Sequence, residues 1–105
     1  TAYETARMAE EAFTNYPEIT AATSQVKYDH QFGVSNRQHT IVNTNNLLVD
    51  YKYDLAGSKT GYLYEAGFCL AVRGTNKQAN RIAVVLGAQS EWDSMNDIKT
   101  LLEMD

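Results

Sequence analysis

Lys59, Thr60 and Gly61 set an ammonium, a hydroxyl and an unobstructed backbone on three consecutive residues. They lie within the run Leu55-Ala56-Gly57-Ser58-Lys59-Thr60-Gly61-Tyr62-Leu63-Tyr64-Glu65-Ala66-Gly67-Phe68-Cys69. Such a row offers a positive charge, a hydroxyl that can donate or accept, and a glycine that lets a ligand come close to the main chain. The triplet is preceded by a glycine and followed by Ala66-Gly67 and an apolar run, so it reads as an edge strand turning into a buried one. Taken alone, a K-T-G triplet is also what a surface lysine beside a turn looks like.

Several elements must position that stretch. Thr1 and Glu4 have capping-box spacing, and Ala2, Ala6, Ala9, Phe13 and Tyr16 recur at helical period up to Pro17. This predicts an amphipathic helix with Glu4, Arg7, Glu10 and Glu11 on a solvated face. Pro17 ends it and can start a short second helix through Ala21. Val26, Tyr28 and Phe32 alternate like a short strand, and Gly33, Ser35 and Asn36 suggest a turn or loop. Ile41 and Val42 lead into Asn43-Thr44-Asn45-Asn46-Leu47-Leu48, a turn capped by its asparagines and anchored by its leucines. Gly67–Arg73 and Arg81–Ala88 are nearly continuous apolar runs joined by the polar segment 74–80, a hairpin with both faces covered. Ser90 is an N-cap for a last helix with Met95, Ile98, Leu101 and Leu102 on one stripe. The expected class is α+β: N-terminal helices, a three-stranded antiparallel sheet and a C-terminal helix.

Composition narrows the function. The 105 residues suffice for one core, and 44% hydrophobic with 21% charged residues, one proline and six glycines is ordinary for a folded unit. A net charge of -4 without any lysine or arginine run argues against nucleic acid and against membrane contact from this segment. The apolar runs are too short to cross a bilayer, and no signal peptide is evident. Cys69 is the single cysteine and sits in an apolar run, as a buried, inert thiol would. His30 and His39 are not spaced with a carboxylate or cysteine in a metal-site pattern, so no metal or other cofactor is expected and both read as surface or structural residues. Tyr51, Tyr53, Tyr62 and Tyr64 read as packing residues with wet hydroxyls. The start at Thr1 reads as that of a piece excised from a longer protein.

The stretches NTNNLL, GSKTGYLYEAGFCLAV and RIAVVLGA, followed by a helix ending in Leu-Leu, occur here in the order of a known family. So does TAYETARMAEEAF followed by a proline and Thr23-Ser24. The chain resembles the low-molecular-mass D-alanyl-D-alanine carboxypeptidases, serine peptidases with a penicillin-binding/β-lactamase-like fold, over nearly its whole length. These enzymes combine a K-T-G strand with S-x-x-K and S-x-N motifs. The resemblance implies Lys59, Thr60 and Gly61 as catalytic-cleft residues, and Lys59, Thr60 and Tyr62 as substrate-binding. Lys59 would supply charge, Thr60 the hydroxyl for a substrate carboxylate, and the Tyr62 amide one oxyanion donor. It further implies peptidoglycan stem peptides and β-lactams as ligands, no metal, and an extracytoplasmic protein.

The catalytic S-x-x-K and S-x-N regions precede K-T-G in the family. Ser24-Gln25-Val26-Lys27 satisfies the first pattern in a segment whose family counterpart is not catalytic. Ser94-Met95-Asn96 satisfies the second pattern but follows K-T-G. The expectation is therefore a single partial domain over residues 1–105, inactive alone, with an unpaired sheet edge that could support homo-oligomers. Leu63 stands where the family commonly has threonine, and an arginine common near the start of the last helix is missing around Ser94, which bears on substrate preference. A class A β-lactamase-like hydrolase or a non-catalytic peptidoglycan-binding module are the alternative readings, with NTNNLL and Ala-Gly-Phe-Cys favouring the carboxypeptidase.

Overall fold

The computed structural model describes residues 1–33, 37–49, 54–75 and 79–104. Ser35 and Asn36, Tyr51 and Tyr53, residues 76–78 of the polar segment and Asp105 lie outside the described residues. Helix α1 spans Ala2–Asn15. The Thr1 Oγ1 accepts from the Glu4 amide at 3.1 Å and donates to Glu4 Oε1 at 2.9 Å, giving the first turn a side-chain partner it would otherwise lack. Pro17 opens α2, Pro17–Thr23. Glu4, Arg7, Glu10 and Glu11 are exposed, while Ala9 and Phe13 are delivered to the sheet.

Strands β1, Lys27–Phe32, and β2, Arg37–Val42, form an antiparallel ribbon. The first strand was expected, but the second is a correction, since the sequence reads there as loop and lead-in. Every residue of β2 is exposed. A strand with no buried face has no apolar alternation to betray it.

A short 3-10 turn, Asn46–Val49, leads towards the main sheet of β3 (Asp54–Leu63), β4 (Gly67–Thr75) and β5 (Asn80–Ala88). Its order is β3-β4-β5 and both pairings are antiparallel, so β3 and β5 are its edges. Helix α3, Glu91–Glu103, begins at Ser90, whose Oγ accepts from the Asp93 amide at 3.0 Å. The central strand is covered on both sides, as its continuous hydrophobicity implied. On one side Leu47, Leu55, Leu70, Val72 and Ala83 pack with Ile98 and Leu102 of α3. On the other, Ala71 packs with Ala9 and Phe13 of α1. Fully burying side chains such as Val72, Ile98 and Leu102 contributes about 1.5–3 kcal/mol each.

One irregularity in β3 matters for the site. The register shifts between Leu55 and Ser58, and Gly57 has φ of 154°. A Cβ on Gly57 would stand 2.6 Å from Phe13 Cδ1. The missing side chain thus lets α1 seat its aromatic ring on the strand two residues before Lys59.

Candidate functional site

The K-T-G edge is fixed from its first residue. Ser58 is buried; its amide donates to Thr23 Oγ1 at 3.2 Å and its Oγ donates to the Thr23 carbonyl at 3.0 Å. These bonds pin the end of α2 to β3 immediately before Lys59. Asn43 ties in a third segment: its Nδ2 donates to the Thr23 and Gln25 carbonyls, each at 3.0 Å, and its Oδ1 accepts from the Asn45 amide at 2.9 Å. Asn45 Oδ1 in turn accepts from the Leu47 amide at 3.1 Å. The asparagines cap the turn as their positions predicted.

Held in that turn, Thr44 brings its Oγ1 to 2.5 Å from Thr60 Oγ1. Sequence reasoning missed Thr44, because a threonine among asparagines reads as one more turn residue until the turn is laid against β3. Lys59 is exposed, and its ammonium donates to the Thr60 carbonyl. Tyr62 is exposed and rests its ring on Phe68, its partner in register, with centroids 4.4 Å apart and planes at 32°. Gly61 differs from Gly57. A Cβ there would meet only Cys69 Cβ at 3.8 Å, an ordinary contact, so packing within the sheet does not require glycine at this position.

Thr60 borders three hollows. One, of about 280 Å³, is bounded by Thr23, Lys27, Tyr28, Thr44, Lys59 and Thr60. A second, of about 210 Å³, is bounded by Thr44, Asn45, Thr60, Tyr62, Phe68 and Glu91 among others. A third, of about 400 Å³, is apolar and lies between α1 and the sheet beside Met8, Phe13, Ile19, Leu70 and Leu86. The arrangement can hold an extended ligand along the open edge of β3, with a cation and a hydroxyl at one point of its length.

The two look-alike motifs are spent on structure. Ser24 follows the last turn of α2, where its amide donates to the Thr20 carbonyl, and Lys27 begins β1, so the pair shares no helical turn. Ser94 is buried in α3 with its Oγ donating to the Glu91 carbonyl at 2.7 Å. Cys69 is half-buried rather than buried, its Sγ directed at the Ala66 and Gly67 carbonyls. Among the described residues, no three or more His, Cys, Asp or Glu gather as a metal site, and no helix is long and apolar enough to cross a membrane.

Comparison with known proteins agrees with the residues. D-alanyl-D-alanine carboxypeptidase DacF of Bacillus subtilis strain 168 is 32% identical over 102 residues, which are 97% of this chain and 25% of that protein. The Streptomyces K15 DD-transpeptidase superposes with a TM-score of 0.82 at 24% identity, over 97% of this chain and 40% of its own. Penicillin-binding protein 5 from Haemophilus influenzae gives 0.80 at 27% identity, over 98% of this chain and 28% of its own. The α+β arrangement is thus the corresponding part of the fold of these proteins, and the chain spans well under half of their length. The family model for D-alanyl-D-alanine carboxypeptidase matches residues 1–90, from the cap of α1 through the K-T-G strand to the start of α3. On that match the chain belongs to the D-alanyl-D-alanine carboxypeptidase family.

Proposed function

We propose that this chain supplies the K-T-G edge of a serine D-alanyl-D-alanine carboxypeptidase that removes the terminal D-alanine from peptidoglycan stem peptides through an acyl-enzyme. Membership of the family, with K-T-G on an open sheet edge, is the observation that carries the reading. Residues 1–105 are one partial catalytic unit, and the attacking serine comes from outside them. The chain alone is therefore inactive. The intact protein works outside the cytoplasm, where its substrate is, and β-lactams acylate it as substrate mimics.

The stem peptide lies beside β3 as an added strand. Gly61 keeps the main chain approachable. The Lys59 ammonium and the Thr60 hydroxyl take the terminal carboxylate, for which charge-assisted bonds are stronger than neutral ones. Residues two apart on a strand direct their amides to the same edge, so the side on which Lys59 meets the Thr60 carbonyl is also the side of the Tyr62 N–H. That N–H is one oxyanion donor, acting on the charge that develops as the serine attacks. Thr44 is a positioning residue. When Thr60 donates to the carboxylate it can still accept from Thr44, and each bond polarises the next. The outer edge of β5, unpaired among the described residues, also favours association between copies of the chain.

Fluorescent penicillin tests the assignment. No covalent adduct is expected on this chain, whereas the intact protein should label and should release D-alanine from a peptide ending in D-alanyl-D-alanine. Thr60→Val in the intact protein should lower kcat/KM about tenfold to a hundredfold, the loss of one hydrogen bond to a charged group. Stoichiometric labelling of Ser24 in the isolated chain, or an unchanged kcat/KM in the variant, would overturn it.

A further inference from the structure

The β1–β2 ribbon carries both histidines of the chain, and its register sets them face to face, His30 opposite His39. Directly opposed residues of an antiparallel pair project to the same side with Cβ atoms about 4.5–5.5 Å apart. Two imidazoles so placed can reach one ion at the ~2.0–2.1 Å of a zinc–nitrogen bond. Both histidines are exposed, so an ion arrives without opening the fold. Tyr28 stacks on His30 with ring centroids 5.9 Å apart and planes at 24°, which narrows the orientations that the ring must give up on binding. We propose that His30 and His39 form a two-histidine site for a late first-row divalent cation such as zinc(II), nickel(II) or copper(II), solvent completing the coordination.

The surroundings define the selectivity. Asp29 and Thr40 alternate to the other face of the ribbon, where the Thr40 Oγ1 donates to Asp29 Oδ1 at 2.6 Å, so that carboxylate is no third ligand. With imidazole donors alone, magnesium and calcium, which want oxygen, are poor guests. Arg37 shares the histidines' face two residues before His39, and its charge keeps the affinity modest. An isolated two-stranded ribbon is marginal in water, so a cross-strand ion acts as a staple. Its effect reaches the cleft, because Lys27, Tyr28, Ile41 and Val42 at the ribbon base share a hollow with Lys59 and Thr60.

The full chain is titrated with zinc chloride while the histidine ring resonances are followed by NMR, with calorimetry alongside and magnesium chloride as control. Both rings should move together with one-to-one stoichiometry, and zinc should slow amide exchange in β1 and β2. His30→Gln and His39→Gln should each weaken binding at least tenfold. These positions are exposed, and the ring shifts of the unsubstituted chain test the site even where a variant misfolds. Zinc binding that moves one ring or neither, that survives both substitutions, or that magnesium reproduces would overturn the proposal.

Discussion

At the scale of single residues, two glycines four apart on β3 separate folding from function. Gly57 is demanded by the fold, since its Cβ would penetrate the Phe13 ring at 2.6 Å and its φ of 154° is one that side chains seldom adopt. Gly57→Ala is expected to destabilise the chain by about 2–6 kcal/mol, the combined range of overpacking and backbone strain. Gly61 has neither constraint, so Gly61→Ala should leave stability within about 1 kcal/mol of the parent. In the intact protein, on the function proposed above, the same methyl would stand where substrate approaches, and penicillin acylation should fall. Denaturant unfolding of both variants, with acylation rates for the second, makes the comparison. Equal destabilisation by the two substitutions would mean that Gly61 is structural after all.

At the scale of elements, Asn43 joins what the chain order keeps apart: the end of α2, the segment entering β1 and the turn that holds Thr44. Asn43→Ala leaves the Gln25 carbonyl and the Asn45 amide without this partner, while the Thr23 carbonyl keeps the Ser58 Oγ, and a loss of about 1–2 kcal/mol is expected for such partly buried and exposed groups. Asn43→Asp should be worse, because it keeps the acceptor for the Asn45 amide but aims a carboxylate at two carbonyls. Thermal melts of the two variants check the order, and an aspartate variant at least as stable as the alanine one contradicts the account. The elements differ in how legible they were. Helix α1 and the β4–β5 hairpin could be read from sequence because burial marks them, by a helical period in the first and by nearly continuous apolar runs in the second. The β2 strand could not, since nothing along Arg37–Val42 is buried. The same gap hid the facing of His30 and His39, which depends on hairpin register rather than on spacing. At the proposed cleft, Lys59, Thr60 and Tyr62 are named from the motif by its resemblance to the family. Thr44 could not, because its bond to Thr60 crosses sixteen positions and exists only once Asn43 has set the turn.

At the scale of the whole molecule, the chain has more surface to cover than elements to cover it. Among the described residues no strand pairs with the outer edge of β5, and Leu86 on that strand is 45% exposed. Leu86 also borders the apolar hollow against α1, together with the exposed Met8 and Ile19. An open edge beside an apolar patch is a template for pairing with another chain, and a second copy offers the same edge in return. The net charge of -4 opposes association only weakly at physiological salt, where charges more than about 8 Å apart are largely screened. Sedimentation velocity over a hundredfold range of concentration should therefore show the weight-average mass rising above that of a monomer. Leu86→Lys places a charge on the edge and in the patch at once, and should return the distribution to monomer without loss of helical signal. A compact monomer at every concentration would instead mean that the β5 edge is protected within this chain, leaving Leu86→Lys without effect on association.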